Sequence, residues 1–234
     1  GMIKANENPA WKYPVLIDTM VSLELLFWGA ENGGNPEWKE IAVTHAINTA
    51  KHHIRDDGSA YQLIDFDPAT GKPLGTGALC GLDAESKWMR GVAEGLTGYA
   101  IAYSYTNNPA MLEAAEKLAA FYMANLPDDY VPYWDISDPA IPNAVRDASA
   151  ATMAAVGLYE LAKSGTPEKR PAYRELYLNT LRSLTDNYLA DSAASEGIID
   201  HATWKKPTDP QADTSIIWGD YTYLLAVSMY LRGI

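Results

Sequence analysis

The stretch ESKWMRGVAEGLTGYAIAYSYTNNPAMLEAAEKLAAFYMAN, residues 85–125, decides the fold. Apolar residues recur at helical spacing on both sides of Asn107-Asn108, which predicts one helix over Glu85–Tyr105 and another over Pro109–Asn125. A link this short makes the two helices an antiparallel pair.

The same spacing extends outward in both directions. A first helix is expected over Pro14–Ala30, with a proline near its first turn, and a second over Pro36–His53. A fifth over Ala144–Lys163 meets a sixth over Pro171–Leu189 across a short Gly165-Thr166-Pro167 stretch, and a seventh covers Asp220–Leu231. Loops of roughly 20 to 30 residues follow the second, fourth and sixth helices, and loops that long are uncommon unless functional. They carry the breakers Asp56-Asp57-Gly58, Pro68 to Gly71, Pro132 to Pro142 and Pro207 to Pro210. Short links alternating with long ones describe an all-α toroid of helical hairpins, with a ligand site at the long-loop end. The alternating segment Ser59–Phe66 predicts a short β-hairpin with the residues after Gly71.

The 234 residues carry a net charge of −12, which disfavours nucleic acid and anionic membranes as partners. No apolar run approaches the roughly 20 residues of a membrane span. The opening Gly1-Met2-Ile3-Lys4 shows no apolar leader, and cytoplasm and periplasm both stay open. Cys80 is the only cysteine, so neither a disulfide framework nor a thiolate metal site is expected. The histidines His45, His52, His53 and His201 lack ligand spacing and read as structural.

Two places carry candidate chemistry. In the first helix Asp18 shares a stripe with Val21, Ser22 and Leu25. A carboxylate there is either paired or lines a cavity, where desolvation raises its pKa toward that of a general acid. In Cys80–Gly91, Trp88 offers a flat face for a sugar ring and Arg90 a planar fork for a carboxylate. Read alone, that segment equally describes a core tryptophan beside a helix-capping arginine. Arg146-Asp147 reads as a structural ion pair, and Asp220 as an acidic residue at a helix N-terminus.

In order along the chain, VLIDTMVSLELLFW, HHIRDDGSAYQLIDFDPATG, DAESKWMRG, LPDDYVPYWD, NAVRDASAA and WGDYTY resemble the unsaturated glucuronyl hydrolases of glycoside hydrolase family 88. The resemblance runs from about Tyr13 to Arg232 and implies an (α/α)6 barrel. It also implies removal of an unsaturated uronic acid from the non-reducing end of lyase-derived oligosaccharides, without metal or cofactor. By this match Asp18 is the general acid/base. Trp88 and Arg90 stack and grip the uronate, while Gln62 and Cys80 line the pocket.

The chain also departs from the family's pattern. Gln62 stands where many members have histidine, Cys80 where many have glutamine, and Glu94 where many have tryptophan. The family uses a second aspartate from the barrel's N-terminal half, and seven helices are expected here in place of twelve. The expectation is therefore a single domain forming the C-terminal portion of the toroid, with its open side covered by a homodimer contact or a complementing N-terminal chain. A homologue that binds sugar or another chain without turnover, and an unsaturated rhamnogalacturonyl hydrolase, are the alternatives.

Overall fold

The computed structural model describes residues 1–6, 8–193, 195–205 and 212–233; the expected loop at Pro207 to Pro210 lies outside them. Seven helices are present among the described residues: α1 (Thr19–Glu31), α2 (Glu37–His53), α3 (Met89–Thr106), α4 (Pro109–Ala124), α5 (Ala148–Ser164), α6 (Arg170–Asn187) and α7 (Ile217–Arg232). None is long and apolar enough to cross a membrane.

Composition sorts these helices into two rings. Every residue from Met89 to Ala100 and from Ala148 to Tyr159 is buried, so α3 and α5 have no solvent face there. They form the centre of an inner row in which α1 packs on α3, α3 on α5 and α5 on α7. Behind it, α2 backs α1, α4 backs α3 and α6 backs α5. The inner row is close-set because its contacts use glycine. A Cβ at Gly98 would lie 2.5 Å from the Met20 carbonyl carbon, and one at Gly157 2.8 Å from the Thr97 Cα. The result is the expected hairpin toroid, seven helices long.

A small three-stranded antiparallel sheet, β1 (Pro14–Leu16), β2 (Leu63–Phe66) and β3 (Pro73–Gly77), is added to the helical toroid. The β2–β3 hairpin is the one read from the alternation. Strand β1 replaces the expected first turn of the first helix, because Pro14–Leu16 pairs with Asp65–Leu63. Asp65, which accepts the N–H groups of Lys12 and Tyr13, holds the approach to that strand. Helix α3 starts at Met89 and not Glu85, since Trp88 is extended and the Lys87 N–H is taken by the Asp135 carboxylate. Helix α5 starts at Ala148, where Asp147 caps it by accepting the Ser149 N–H at 3.1 Å. Helix α7 starts earlier than expected, at Ile217.

Candidate active site

The sheet places the first site residue. One step beyond the β1–β2 ladder the Ile17 N–H donates to the Gln62 carbonyl at 3.1 Å, which sets Asp18 beside Gln62. Asp18 therefore occupies the N-cap position of α1, ahead of the helical stripe where the sequence placed it, and its side chain makes no capping bond. Gln62 is buried, and its Oε1 accepts three consecutive backbone N–H groups, from Leu79 (2.7 Å), Cys80 (2.8 Å) and Gly81 (3.2 Å). Those three donors fix the amide's orientation and fold the Cys80 loop over it. The loop continues to Trp88, anchored by Asp135, which accepts from Leu82, Lys87 and Ser137.

Arg90 is the hub. It is 2 % exposed. Its guanidinium lies 4.7 Å from the Trp88 ring and 5.3 Å from the Trp218 ring. Its Nη1 meets Asp147 Oδ2 at 3.2 Å and donates to the Thr203 carbonyl at 2.7 Å, while Nη2 donates to the Trp204 carbonyl at 2.8 Å. Much of the donor capacity of the Arg90 fork is thus already used within the chain. The expected Arg146–Asp147 pair is absent. Adjacent residues at a helix cap point apart, so Asp147 turns inward to Arg90, while Arg146 pairs with Asp129 at 3.1 Å. Asp18, Trp88, Asp147 and Trp218 all lie at the heads of inner helices, so four helix N-termini share this end of the molecule. That arrangement favours negative charge in a ligand.

One guanidinium faces three carboxyl groups, those of Asp18, Glu94 and Asp147. Burial pushes the Asp18 pKa up to about 6, against lowering by its own and Thr19's backbone N–H groups and by the charge of Arg90. Burial, then the Asp18 charge, hold Glu94 well above the ordinary carboxylate range. Burial also raises the Cys80 thiol. Five polar atoms around this cluster are buried without a hydrogen-bond partner among the described residues: Asp18 Oδ1, Gln62 Nε2, Trp88 Nε1, Glu94 Oε2 and Trp218 Nε1. Native interiors rarely leave such groups unsatisfied, which makes this cluster the candidate site. A groove of about 540 Å³ between α6 and α7, lined by Leu178, Leu181, Tyr223 and Val227, lies elsewhere and gathers no comparable set of unpaired groups.

The structure brings Asp18, Gln62, Cys80, Trp88 and Arg90 to one end of the toroid. Sequence reasoning did not place Asp147 and Trp218 beside Arg90, although both lie in the quoted segments NAVRDASAA and WGDYTY. Asp220 was placed correctly in a first turn, but its Oδ1 accepts the N–H groups of Ile198 and Ile199 and so fastens a loop. No group of three or more His, Cys, Asp or Glu side chains among the described residues is arranged to hold a metal ion.

No protein-family model matches the chain. It is 40% identical over 220 residues to an unsaturated glucuronyl hydrolase of Formosa agariphila, covering 93% of this chain and 54% of that one. It is 34% identical over 224 residues to that of Bacillus sp. strain GL1, covering 94% and 59%. The structure superposes on a solved unsaturated glucuronyl hydrolase specific for heparin with a TM-score of 0.94 at 34% identity, covering 99% of this chain and 63% of that one. Over nearly its whole length the chain is similar to unsaturated glucuronyl hydrolases. It spans somewhat more than half the length of these hydrolases. Their (α/α)6 barrel accounts for the alternation of inner and outer helices, of which seven are present here among the described residues.

Proposed function

We propose that the Asp18 pocket binds an unsaturated uronic acid at the non-reducing end of an oligosaccharide and hydrates its C4=C5 vinyl ether. The single observation that carries this reading is Asp18 itself: a carboxyl near pKa 6, with an unpartnered oxygen, at the end of the molecule that favours an anion. Such a group keeps a protonated fraction near neutral pH and can serve as a general acid. In the proposed step Asp18 delivers its proton to C4 and water adds at C5, with the released proton returning to the carboxylate. The resulting hemiketal opens and frees the remaining sugar. Trp88 and Trp218 flank the ring, and the remaining charge of Arg90, with the helix N-termini, balances the uronate.

The relatives support the substrate class. They include unsaturated chondroitin disaccharide hydrolases of Streptococcus pyogenes and Streptococcus agalactiae, and a solved Streptococcus agalactiae enzyme complexed with dGlcA-GalNAc6S. The test is incubation of the chain with an unsaturated uronyl disaccharide while the vinyl-ether absorbance is followed. Loss of absorbance that disappears with Asp18→Asn supports the reading. Binding without any loss would leave a sugar-binding homologue, and turnover confined to rhamnogalacturonyl substrates would reassign the sugar.

We also infer that a second copy of the chain covers the apolar edge. Leu25 and Trp28 on α1 and Ile217, Tyr221 and Leu224 on α7 are all more than half exposed, an unusual density of large apolar groups for a free surface. A symmetric dimer by light scattering at micromolar concentration is expected. A stable monomer contradicts it and leaves a complementing N-terminal chain as the cover.

A further inference from the structure

Glu94 is a buried carboxyl for which the reaction above has no use. It sits one turn beyond Arg90 on α3, 9 % exposed. Its Oε1 lies 3.7 Å from Arg90 Nε, too far for a good hydrogen bond, and its Oε2 has no partner among the described residues. The titratable and charged groups around it are Asp18 from the head of α1, Arg90 on its own helix, Asp147 from the head of α5 and the Cys80 thiol of the loop. Arg90 cannot neutralise all of them, since Asp147 holds it at 3.2 Å and two backbone carbonyls take further N–H groups.

An ionised Glu94 would put a negative oxygen against an acidic sugar at a buried position, where repulsion is poorly screened. The neutral acid does the opposite. Its O–H turns Oε2 from an orphaned acceptor into a donor of the kind that a carboxylate accepts. Trp88 Nε1, Gln62 Nε2 and Trp218 Nε1 are donors at the same end with no partner among the described residues, so the Glu94 O–H adds a fourth to a set suited to an anion.

We propose that Glu94 is a specificity-determining residue that binds the uronate as the neutral acid, donating its O–H to the sugar carboxylate, so that only the protonated pocket accepts the acidic ring. The proposal rests on the uronate reading of the preceding subsection. Glutamine at this position keeps the shape and a donor but cannot ionise.

The test compares Asp18→Asn with Asp18→Asn/Glu94→Gln, a background that removes both turnover and the Asp18 titration. Binding of an unsaturated glucuronyl disaccharide to each chain is measured by calorimetry from about pH 5 to about pH 9. In the Asp18→Asn chain, Kd should rise about tenfold per pH unit once Glu94 ionises, whereas in the Asp18→Asn/Glu94→Gln chain it should vary less than about threefold over the whole range. Equal slopes, or loss of binding by the Asp18→Asn/Glu94→Gln chain alone at every pH, overturn the proposal and leave the uronate reading standing. Absence of binding by both chains at about pH 5 overturns the uronate reading and this proposal with it. Independently of any sugar, the infrared carbonyl band of a protonated carboxyl should be present at neutral pH in Asp18→Asn and lost on adding Glu94→Gln. Its absence from Asp18→Asn overturns the proposal.

Discussion

Asp135 and Asp18 are carboxyl groups at the same end of the toroid, and the chain treats them in opposite ways. Asp135 is fully buried and takes three backbone N–H groups, from Leu82 at 3.0 Å, Lys87 at 3.1 Å and Ser137 at 2.9 Å. Those bonds shape the loop that presents Trp88. Asp18 Oδ1 has no partner among the described residues, and burial raises the Asp18 pKa to about 6. The Asp135 oxygens are spent on structure, whereas burial of Asp18 raises its pKa against the pull of nearby N–H groups and Arg90. Gln62 combines both roles, with Oε1 saturated and Nε2 unpaired.

The largest expected effect that separates the two aspartates is on rate. Asp18→Asn should lower turnover of an unsaturated uronyl disaccharide by about 10³-fold, the range of a general acid, without loss of folded protein. Should Asp18→Asn retain full rate, the contrast with Asp135 has no catalytic meaning. Next comes Asp135→Ala, which leaves three N–H groups without their acceptor. Urea denaturation should show a loss of about 3 kcal/mol. A loss below about 1 kcal/mol would mean that the Trp88 loop is held by other contacts.

The pH dependence of stability sharpens the comparison further. The folded-state pKa of Asp18 is raised from 3.8 to about 6, so the folded chain holds the proton more tightly than the unfolded one. The associated stability is full below about pH 4 and is lost as pH rises to about 6, at most ~3 kcal/mol. His53 acts in reverse, because burial lowers its pKa from 6.5 to about 4. Its contribution is full above about pH 6.5 and is lost as pH falls toward about 4. Asp18→Asn should therefore gain stability over the wild type progressively from about pH 4 and level off above about pH 6, as measured by chemical denaturation. A constant difference across that range would contradict the assigned shift. The smallest effect is expected at Gln62. Gln62→Glu preserves the acceptor for the three loop N–H groups but replaces the unpaired donor, so the fold should hold while KM rises about tenfold. An equal loss in kcat would place Gln62 in the chemical step.

Much of this arrangement was legible in the sequence because local rules govern it. The Asn107-Asn108 link, the short Gly165-Thr166-Pro167 link and the long loops set the hairpin order. Asp18, Trp88 and Arg90 stood out by residue type. What stayed hidden depends on pairings distant along the chain. Strand β1 looked like a helix start because Pro14 suits both, and only its partners in β2 decide the matter. Asp147 was assigned to its neighbour Arg146, whereas its partner Arg90 lies 57 residues away. The threefold bond to Gln62 Oε1 has no signature in the residues that form it, since backbone N–H groups are common to nearly all residues.

Asp18 must hold its proton to near neutrality if it is to act as the acid. Carboxyl-carbon NMR of the chain, with Asp18→Asn used to assign the resonance, measures this directly. A midpoint near 6 for Asp18 is expected. A midpoint at or below 3.8, the ordinary value, would contradict this and remove the chemical basis for Asp18 as the acid.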